Sequence, residues 1–463
     1  HCLLRRQRQM CIRDRNIKDP PPQKTVAHLI DCLGVDPVIA QLLAQRGFST
    51  FEEAKSFFRP HIGQLHDPFL MKDMDKAVAR LQHAINQKEN IMVYGDYDVD
   101  GTTSVSLLTH FLRSQDLEVT PYIPDRYAEG YGLSTKGIDT VKAANIKFMI
   151  ALDCGVKAVK QVAYAKKLGI ELIICDHHTP GDVLPDALAV LDPKRSDCTY
   201  PFKELCGCGV GFKLIQGLLQ HQGKEVNEII AYLDFVAVAI AADIVPIVGE
   251  NRALAFLGLK QLNIHPRPGL KAIMRDKPTK QIISDILFGI APRINAAGRM
   301  KHGLDAVKLL LSESDEEAKK IAQEVEIYNN SRRELEKEIT EEALTQILEN
   351  EEENNATNVV YSPHWHKGVI GIVASRIIET YYRPTLVFTK SSQGILAASA
   401  RSVPGFDLYK AIDACRAHII QFGGHKYAAG VTIKEEKYEA FKVAFEAQVV
   451  QTITAAQKEQ SLD

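Results

Sequence analysis

Between residues 91 and 192 the chain repeats one pattern, a short apolar run followed by a helical segment. In order these read "IMVYG", "SVSLLTHFLRS", "LEVTPYIP", "GIDTVKAAN", "FMIALD", "AVKQVAYAKKLG", "ELIICD" and "LAVLD". Runs that are apolar throughout, rather than alternating, suit strands buried on both faces, and the helices between them supply parallel crossovers. The pattern predicts a doubly wound parallel sheet. Sheets of this kind gather ligands beyond the carboxyl ends of their strands. Three of the runs deliver reactive side chains there: Asp96, Asp98 and Asp100 after the first, Asp153 after "FMIAL", and Asp176, His177 and His178 after "ELIIC".

The segment "YGDYDVDGTT" (94–103) imitates the first half of an EF-hand loop, with alternate aspartates closed by Gly101. A calcium loop needs a bidentate Glu at its twelfth position, and counting from Asp96 that position is Leu107. The preceding segment is a strand, not an acidic helix, so the EF-hand is excluded. Asp and Gly are also turn formers, and a solvated turn would explain one such segment. Recurrence at three strand ends argues against it. Oxygen-rich sites with one or two imidazoles suit Mn²⁺ or Mg²⁺ better than a thiolate-seeking metal.

A chain of 463 residues is long enough for two or three domains. Its net charge of −2 gives no global basic signal, so nucleic-acid contact has to come from a local groove. No apolar run approaches the roughly 18 residues of a membrane span. The nine cysteines are scattered through strands and helices, which fits a reducing, cytoplasmic setting. Cys206 and Cys208, with Cys198 nearby, lack the usual zinc spacing and have no second pair. The opening "HCLLRRQRQMCIRDRN" reads as a scar, a tag remnant or a misassembled end, and is left out of fold reasoning.

Residues 28–90 read as a helical lead-in, and 208–300 as mostly helical. Residues 312–355, rich in Glu, Lys and Ala, predict a long linker helix. Beyond "ENEEENNATN", the segments "NVVYSP", "PTLVFTK" and "GILAASARS" predict strands and "HKGVIGIVASRIIETY" a helix. They make a second, smaller α/β domain, which ends in the Gly-rich "FGGHKYAAG" and one more helical segment. On that last strand Ser399 and Arg401 share a face, and a hydroxyl beside a guanidinium forms an anion pocket.

The motifs "GDYDVDGTTS", "LDCG", "DHH", "AADIVP", "PRINAAGRM", "ASARS" and "GGHKYAAG" stand in that order between residues 94 and 430. With them the chain resembles the DHH phosphoesterase superfamily, and within it the RecJ single-strand-specific exonucleases. The resemblance implies a DHH catalytic domain over residues 91–311, joined by the linker helix (312–355) to a DHHA1 substrate-binding domain over 356–450, with residues 451–463 as a tail. It implies two Mn²⁺ or Mg²⁺ ions held by Asp98, Asp100, Asp153, His177 and Asp243, with Asp153 bridging. Asp96, Asp176 and His178 are then catalytic auxiliaries that orient ligands or touch substrate. Asp243, taken alone, also reads as a cap at a helix end.

Arg126, Ser399 and Arg401 are expected on the same ground to hold a 5′-terminal phosphate. Tyr131 is expected to stack on a base; Arg293, Asn295 and Arg299 to line the strand's path; and Gly423, Gly424 and His425 to bind phosphate through backbone and imidazole. The implied activity is 5′-to-3′ hydrolysis of single-stranded DNA to 5′ mononucleotides in repair and recombination. A helicase and a single-strand-binding protein are the implied partners, and no membrane is involved. Rival readings are a nano-RNase or cyclic-dinucleotide phosphodiesterase, and an inactive DNA-binding scaffold. A DHH pyrophosphatase fits least, because its first motif begins with His where Tyr94 stands. The family usually carries a further oligonucleotide-binding (OB) barrel after the "GGH" domain; with 33 residues after Gly430 that barrel is expected to be missing, and binding correspondingly weaker.

Overall fold

The structure is a computed structural model that describes residues 14–15, 18–274 and 279–462. Most of the proposed N-terminal scar, residues 1–13 and 16–17, lies outside the described residues. The chain divides into two compact units, residues 24–329 and residues 330–463 with 1–23.

The first unit is built on a five-stranded parallel sheet: β1 (Ile91–Gly95), β2 (Val119–Tyr122), β3 (Phe148–Leu152), β4 (Glu171–Cys175) and β5 (Ala189–Leu191). Their order across the sheet is β2-β1-β3-β4-β5, all parallel. The expected parallel α/β sheet is therefore present. Strands β1 and β3 are buried at every residue, which is why their sequences show no alternation. The lead-in contributes a helix at Gln23–Leu33, starting before the expected residue 28.

Helix α1 (Val99–Arg113) follows β1 and is buried along nearly its whole length despite carrying "GTTSVS". Its hydroxyls explain how. Thr102 donates to the Asp98 carbonyl (2.6 Å), Thr103 to that of Val99 (2.6 Å), and Ser106 to that of Thr102 (2.7 Å). These three side chains are thereby satisfied inside their own helix, whereas the buried hydroxyls of Ser104 and Thr109 have no partner there. Helices α2 (Gly207–His221) and α3 (Leu233–Ala242) pack against α1 and fill the same core.

A buried ion pair sits in that core. Lys213 is fully buried and donates to Glu250 Oε1 (2.7 Å), Gln216 Oε1 (2.6 Å) and the His66 carbonyl (2.7 Å). Tyr200 donates to the other Glu250 oxygen at 2.6 Å. Helix α4 (Ala291–Met300) is entered through a π-turn at Ile286–Ile290. Helix α5 (Asp315–Glu349) is long, as its composition predicts, and the division between the units falls within it.

The second unit holds a mixed sheet of β6 (Asn358–Tyr361), β7 (Thr385–Ser392), β8 (Ile395–Arg401), β9 (Gln421–His425) and β10 (Ala428–Lys434), ordered β9-β10-β8-β7-β6. Helix α6 (Ile370–Thr380) packs against β7 and β8. The Gly-rich "FGGHKYAAG" is a β-hairpin at the sheet edge, two strands that its glycines had hidden from the sequence reading. Among the described residues no helix is long and apolar enough to cross a membrane.

Candidate metal centre

The carboxyl ends of β1, β3 and β4 converge, as the strand order 1-3-4 requires. Asp96 is buried, and neither of its carboxylate oxygens has a hydrogen-bond partner. Asp98 caps α1, its Oδ1 accepting the Gly101 N–H at 3.1 Å. Gly101 is there for space: a Cβ on it would lie 2.3 Å from the Asp96 carbonyl oxygen, so only glycine lets the helix turn this tightly over the strand end. The role resembling the EF-hand glycine is thus one of close packing.

Asp100, in the first turn of α1, is buried against the start of α2. Its two oxygens accept the N–H groups of Gly207 (2.6 Å) and Cys208 (2.7 Å), the unpaired donors of a helix N-terminus. Gly207 also touches Asp153, since a Cβ on it would lie 2.6 Å from the Asp153 Cβ and 2.7 Å from Oδ1. Asp153 itself takes a left-handed backbone (φ +58°), an uncommon conformation for a residue with a side chain and one found often at functional sites.

His177 Nε2 faces three carboxylates, at 3.1 Å from Asp153, 3.7 Å from Asp100 and 3.7 Å from Asp243, without an aligned hydrogen bond to any of them. Asp243 follows the last turn of α3 and is partly exposed. The helix-end position that its sequence allowed is therefore real, and it points into the same cluster. Ligand atoms of Asp100, His177 and Asp243 lie within 4.8 Å of one another, as do those of Asp153, His177 and His178. His177 is the member common to both groupings.

The electrostatics match a site lacking positive charge. Burial, then the neighbouring Asp98, hold Asp96 well above the usual carboxylate range. Burial with Asp243 and Asp98 raises Asp100, and burial with Asp100, Asp98 and Asp243 raises Asp153. Asp243 is pushed up to about 7 by burial and Asp98. Burial and the adjacent His178 push His177 down to about 3, which keeps its imidazole neutral, the form that ligates metals.

Asp176 behaves differently. It is buried, but hydrogen bonds to His178 and to backbone N–H groups outweigh that burial and bring it to about 2. Its Oδ1 accepts from the N–H of His177 (2.7 Å) and from His178 Nδ1 (2.8 Å), and its Oδ2 from the Val156 N–H (2.9 Å). The carboxylate ties the "DHH" turn to the "LDCG" loop. His178, raised to about 9 by Asp176 against the effect of burial, has its Nε2 at 3.1 Å from the Tyr131 hydroxyl. Both its nitrogens are engaged, whereas His177 Nε2 is available.

Five hard or borderline donors, with an orphaned Asp153 oxygen and an orphaned imidazole nitrogen in a buried pocket, fit divalent cations of the Mn²⁺ or Mg²⁺ type. The thiols do not compete. Cys206 is the N-cap of α2, accepting the Gly209 N–H, and Cys208 is buried; burial raises both.

The remaining expected residues of this unit surround the centre less tightly. Arg126 lies over the Tyr97 ring, and Tyr131 is half exposed with its ring edge-on to Tyr97. Arg293 pairs with Glu326 and donates to the Gly289 carbonyl at 2.8 Å. Asn295 and Arg299 lie on α4, and the Arg299 carbonyl accepts from the Tyr127 hydroxyl. Tyr94 is buried and donates to the Gly132 carbonyl (2.7 Å).

In the second unit Ser399 and Arg401 meet at the start of α6. A Cβ on Gly371 would lie 3.0 Å from Arg401 Nη2 and 3.4 Å from Ser399 Oγ. A guanidinium, a hydroxyl and a helix N-terminus thus share one small space. Gly423, Gly424 and His425 end β9; Gly424 has φ +147° and packs within 2.3 Å of the Ala428 carbonyl, measured from where a Cβ would be.

Several roles were missed in the sequence. Gly207 and Cys208, which hold Asp100, lie 107 and 108 residues further on and carry no local signal. Asp192 was within reach: it ends β5 as the other acids end their strands, is fully buried with Oδ2 unpartnered, and is raised to about 7 chiefly by burial.

Known families match both units. Residues 90–240 match the DHH family N-terminal domain, and residues 354–451 the DHHA1 domain. The single-stranded-DNA-specific exonuclease RecJ of Salmonella typhimurium is 36% identical over 432 residues, 88% of this chain and 74% of that protein. The chain belongs to the RecJ family. The Bacillus subtilis RecJ is 40% identical over 90% of this chain, which spans about half (52%) of that relative's length. The crystal structure of Thermus thermophilus RecJ in complex with Mn²⁺ superposes with a TM-score of 0.84 at 29% identity, covering 97% of this chain and 64% of that one. A manganese-bound exonuclease RecJ gives a TM-score of 0.73 at 31% identity, over 85% of this chain and 99% of its own.

Proposed function

We propose that this RecJ-family chain carries the catalytic core of a metal-dependent 5′-to-3′ exonuclease that hydrolyses single-stranded DNA to 5′ mononucleotides. The observation that carries this reading is the cluster of Asp98, Asp100, Asp153, His177 and Asp243, with Asp100, Asp153 and His177 buried at its floor, whose carboxylates repel one another and whose Asp153 Oδ1 and His177 Nε2 lack partners. In this reading those five hold two Mn²⁺ or Mg²⁺ ions, with Asp153 between them. Bound there, the pair would supply a hydroxide at neutral pH and offset charge on the phosphoryl oxygens.

The chain's own groups do the rest. Gly207 and Cys208 N–H fix Asp100, Asp176 fixes both histidines, and His178 with Tyr131 forms a polar wall beside Asp153. No protein nucleophile is required. Arg126, with Tyr131, Arg293, Asn295 and Arg299, forms the strand-contacting set of the first unit. Ser399, Arg401, Gly423, Gly424 and His425 form that of the second. The relatives are single-stranded-DNA-specific exonucleases by name, which favours this substrate over the dinucleotides of a nano-RNase. Retention of every expected acid and His speaks against an inactive scaffold. The setting proposed is cytoplasmic, in repair and recombination, with a helicase and a single-strand-binding protein as partners.

End-labelled strands test the polarity. A 5′-³²P-labelled single strand with Mn²⁺ is expected to release labelled mononucleotide at once, while a 3′-labelled strand shortens progressively. Early mononucleotide from the 3′ label, or cleavage confined to dinucleotides, would overturn the reading.

A further inference from the structure

Arg126 is held in an unusual way. Its guanidinium carbon lies 4.5 Å from the centroid of the Tyr97 ring. Asp96 and Asp98 flank Tyr97 in sequence. An arginine stacked on a residue that two carboxylates flank could close an ion pair with either, yet among the described residues Arg126 makes neither an ion pair nor a hydrogen bond. A ring face holds a guanidinium through its plane and leaves the N–H groups at its edge unspent. Those N–H groups are what a phosphate needs for bidentate contact.

Tyr97 is itself fixed. A Cβ on Gly298 of α4 would come within 2.6 Å of the Tyr97 carbonyl oxygen, and one on Gly303 within 3.5 Å of its Cα, so two glycines clasp its backbone. Its ring stands edge-on to Tyr131 at 6.2 Å, and Tyr131 in turn stands edge-on to His178 at 6.0 Å. The line of rings fixes the distance between Arg126 and the acid cluster.

We propose that Tyr97 is a positioning residue: its ring face keeps Arg126 away from Asp96 and Asp98 with the guanidinium edge open, so that this edge receives the 5′-terminal phosphate of the strand. The inference rests on the reading of Arg126 as a phosphate contact. It assigns to the aromatic residue of "DYDVD" a part in end recognition that metal binding by its neighbours does not require.

The test compares kcat/KM for a 5′-phosphorylated and a 5′-hydroxyl strand of one sequence with Mn²⁺, taking the ratio as the readout. Tyr97→Leu is expected to lower that ratio roughly 2- to 30-fold, the span of a cation–π contact, through KM on the phosphorylated strand. Tyr97→Phe, which keeps the ring, is expected to retain the ratio. In an Arg126→Gln background, Tyr97→Leu is expected to change the ratio no further. Equal losses on both strands, or a Tyr97→Phe as damaging as Tyr97→Leu, would overturn the proposal in favour of a structural role. If Arg126→Gln alone leaves the ratio intact, the phosphate reading of Arg126 falls and takes this inference with it. If Arg126→Gln collapses the ratio while Tyr97→Leu does not, only the inference falls. Should Tyr97→Leu turn over too slowly, the binding ratio of the two strands in an Asp153→Asn background gives the same readout.

Discussion

Adding one methyl group at Gly207 should disable the centre without touching any acid or histidine. Gly207 opens α2 in ordinary helical space, so on backbone grounds alanine there would stabilise, by about 1 kcal/mol at most. The contacts reverse the sign. The new Cβ would sit 2.6 Å from the Asp153 Cβ, 2.7 Å from its Oδ1 and 2.8 Å from its Cα. Carbon atoms rest at about 3.5–4.0 Å, so Asp153 or the start of α2 has to move by about 1 Å. Overpacking on this scale costs about 1–3 kcal/mol. The net loss of roughly 1–2 kcal/mol should lower the melting temperature by a few degrees.

Function should suffer more, because a 1 Å misplacement of a catalytic group can cost about 100-fold in rate. Gly207 also presents its N–H to Asp100 at 2.6 Å, so both carboxylates shift together. Calorimetric Mn²⁺ titration and nucleotide release, run on Gly207→Ala beside Gly209→Ala, would measure this. The second glycine is in the same helix, but a Cβ there meets nothing closer than 3.5 Å, and its substitution should stabilise slightly. Parent-like Mn²⁺ affinity and rate in Gly207→Ala would refute the packing argument.

Other consequences are open to simpler assays. In EDTA the protein should lose stability as pH rises from about 4 to 7: Asp96, Asp100, Asp153 and Asp243 are raised above their unfolded values, so the folded state holds the extra protons in that window. His177, depressed to about 3, opposes this with one proton; His178, raised to about 9, extends the decline above pH 6.5. Thermal melts at pH 5 and pH 8 with and without Mn²⁺ check it, and a metal-free protein that is more stable at pH 8 would contradict it. Lys213→Met strands the buried Glu250 carboxylate and should cost about 3–5 kcal/mol in urea melts; a cost under 1 kcal/mol would mean that the network relaxes. Gly371→Val fills the space before Arg401 and Ser399 and should raise KM for 5′-phosphorylated strands more than for 5′-hydroxyl ones, an effect that equal KM values would rule out.

What the sequence made legible follows from what is local. The strands β1 and β3, and β4 after Glu171, are apolar runs with acids at their ends, so both the sheet and the position of Asp96, Asp153 and His177 could be read directly. The start of α2 could not, because the Gly207–Asp100 bond joins segments 107 residues apart and a helix N-terminus carries no mark of what it faces. The left-handed turn at Asp153 was equally silent, since Asp adopts it without the glycine that usually signals it. Strand β9 was missed because "FGGH" lacks the β-branched residues that mark a strand, and its pairing with β10, which in turn pairs with β8, supplies the stability that propensity does not; in β10 the β-branched run Val431–Ile433 was legible and was passed over behind "AAG". Asp192 shows the opposite case, a legible signal passed over.

Everything proposed for the catalytic unit requires the carboxylate cluster to be a two-ion site. Calorimetric titration of the metal-free protein with Mn²⁺, parent beside Asp153→Asn, measures this directly. Two ions per chain in the parent, with at most one in the variant and nucleotide release abolished, is the predicted result. Equal stoichiometry in both proteins, or no binding in the parent at millimolar Mn²⁺, would contradict it.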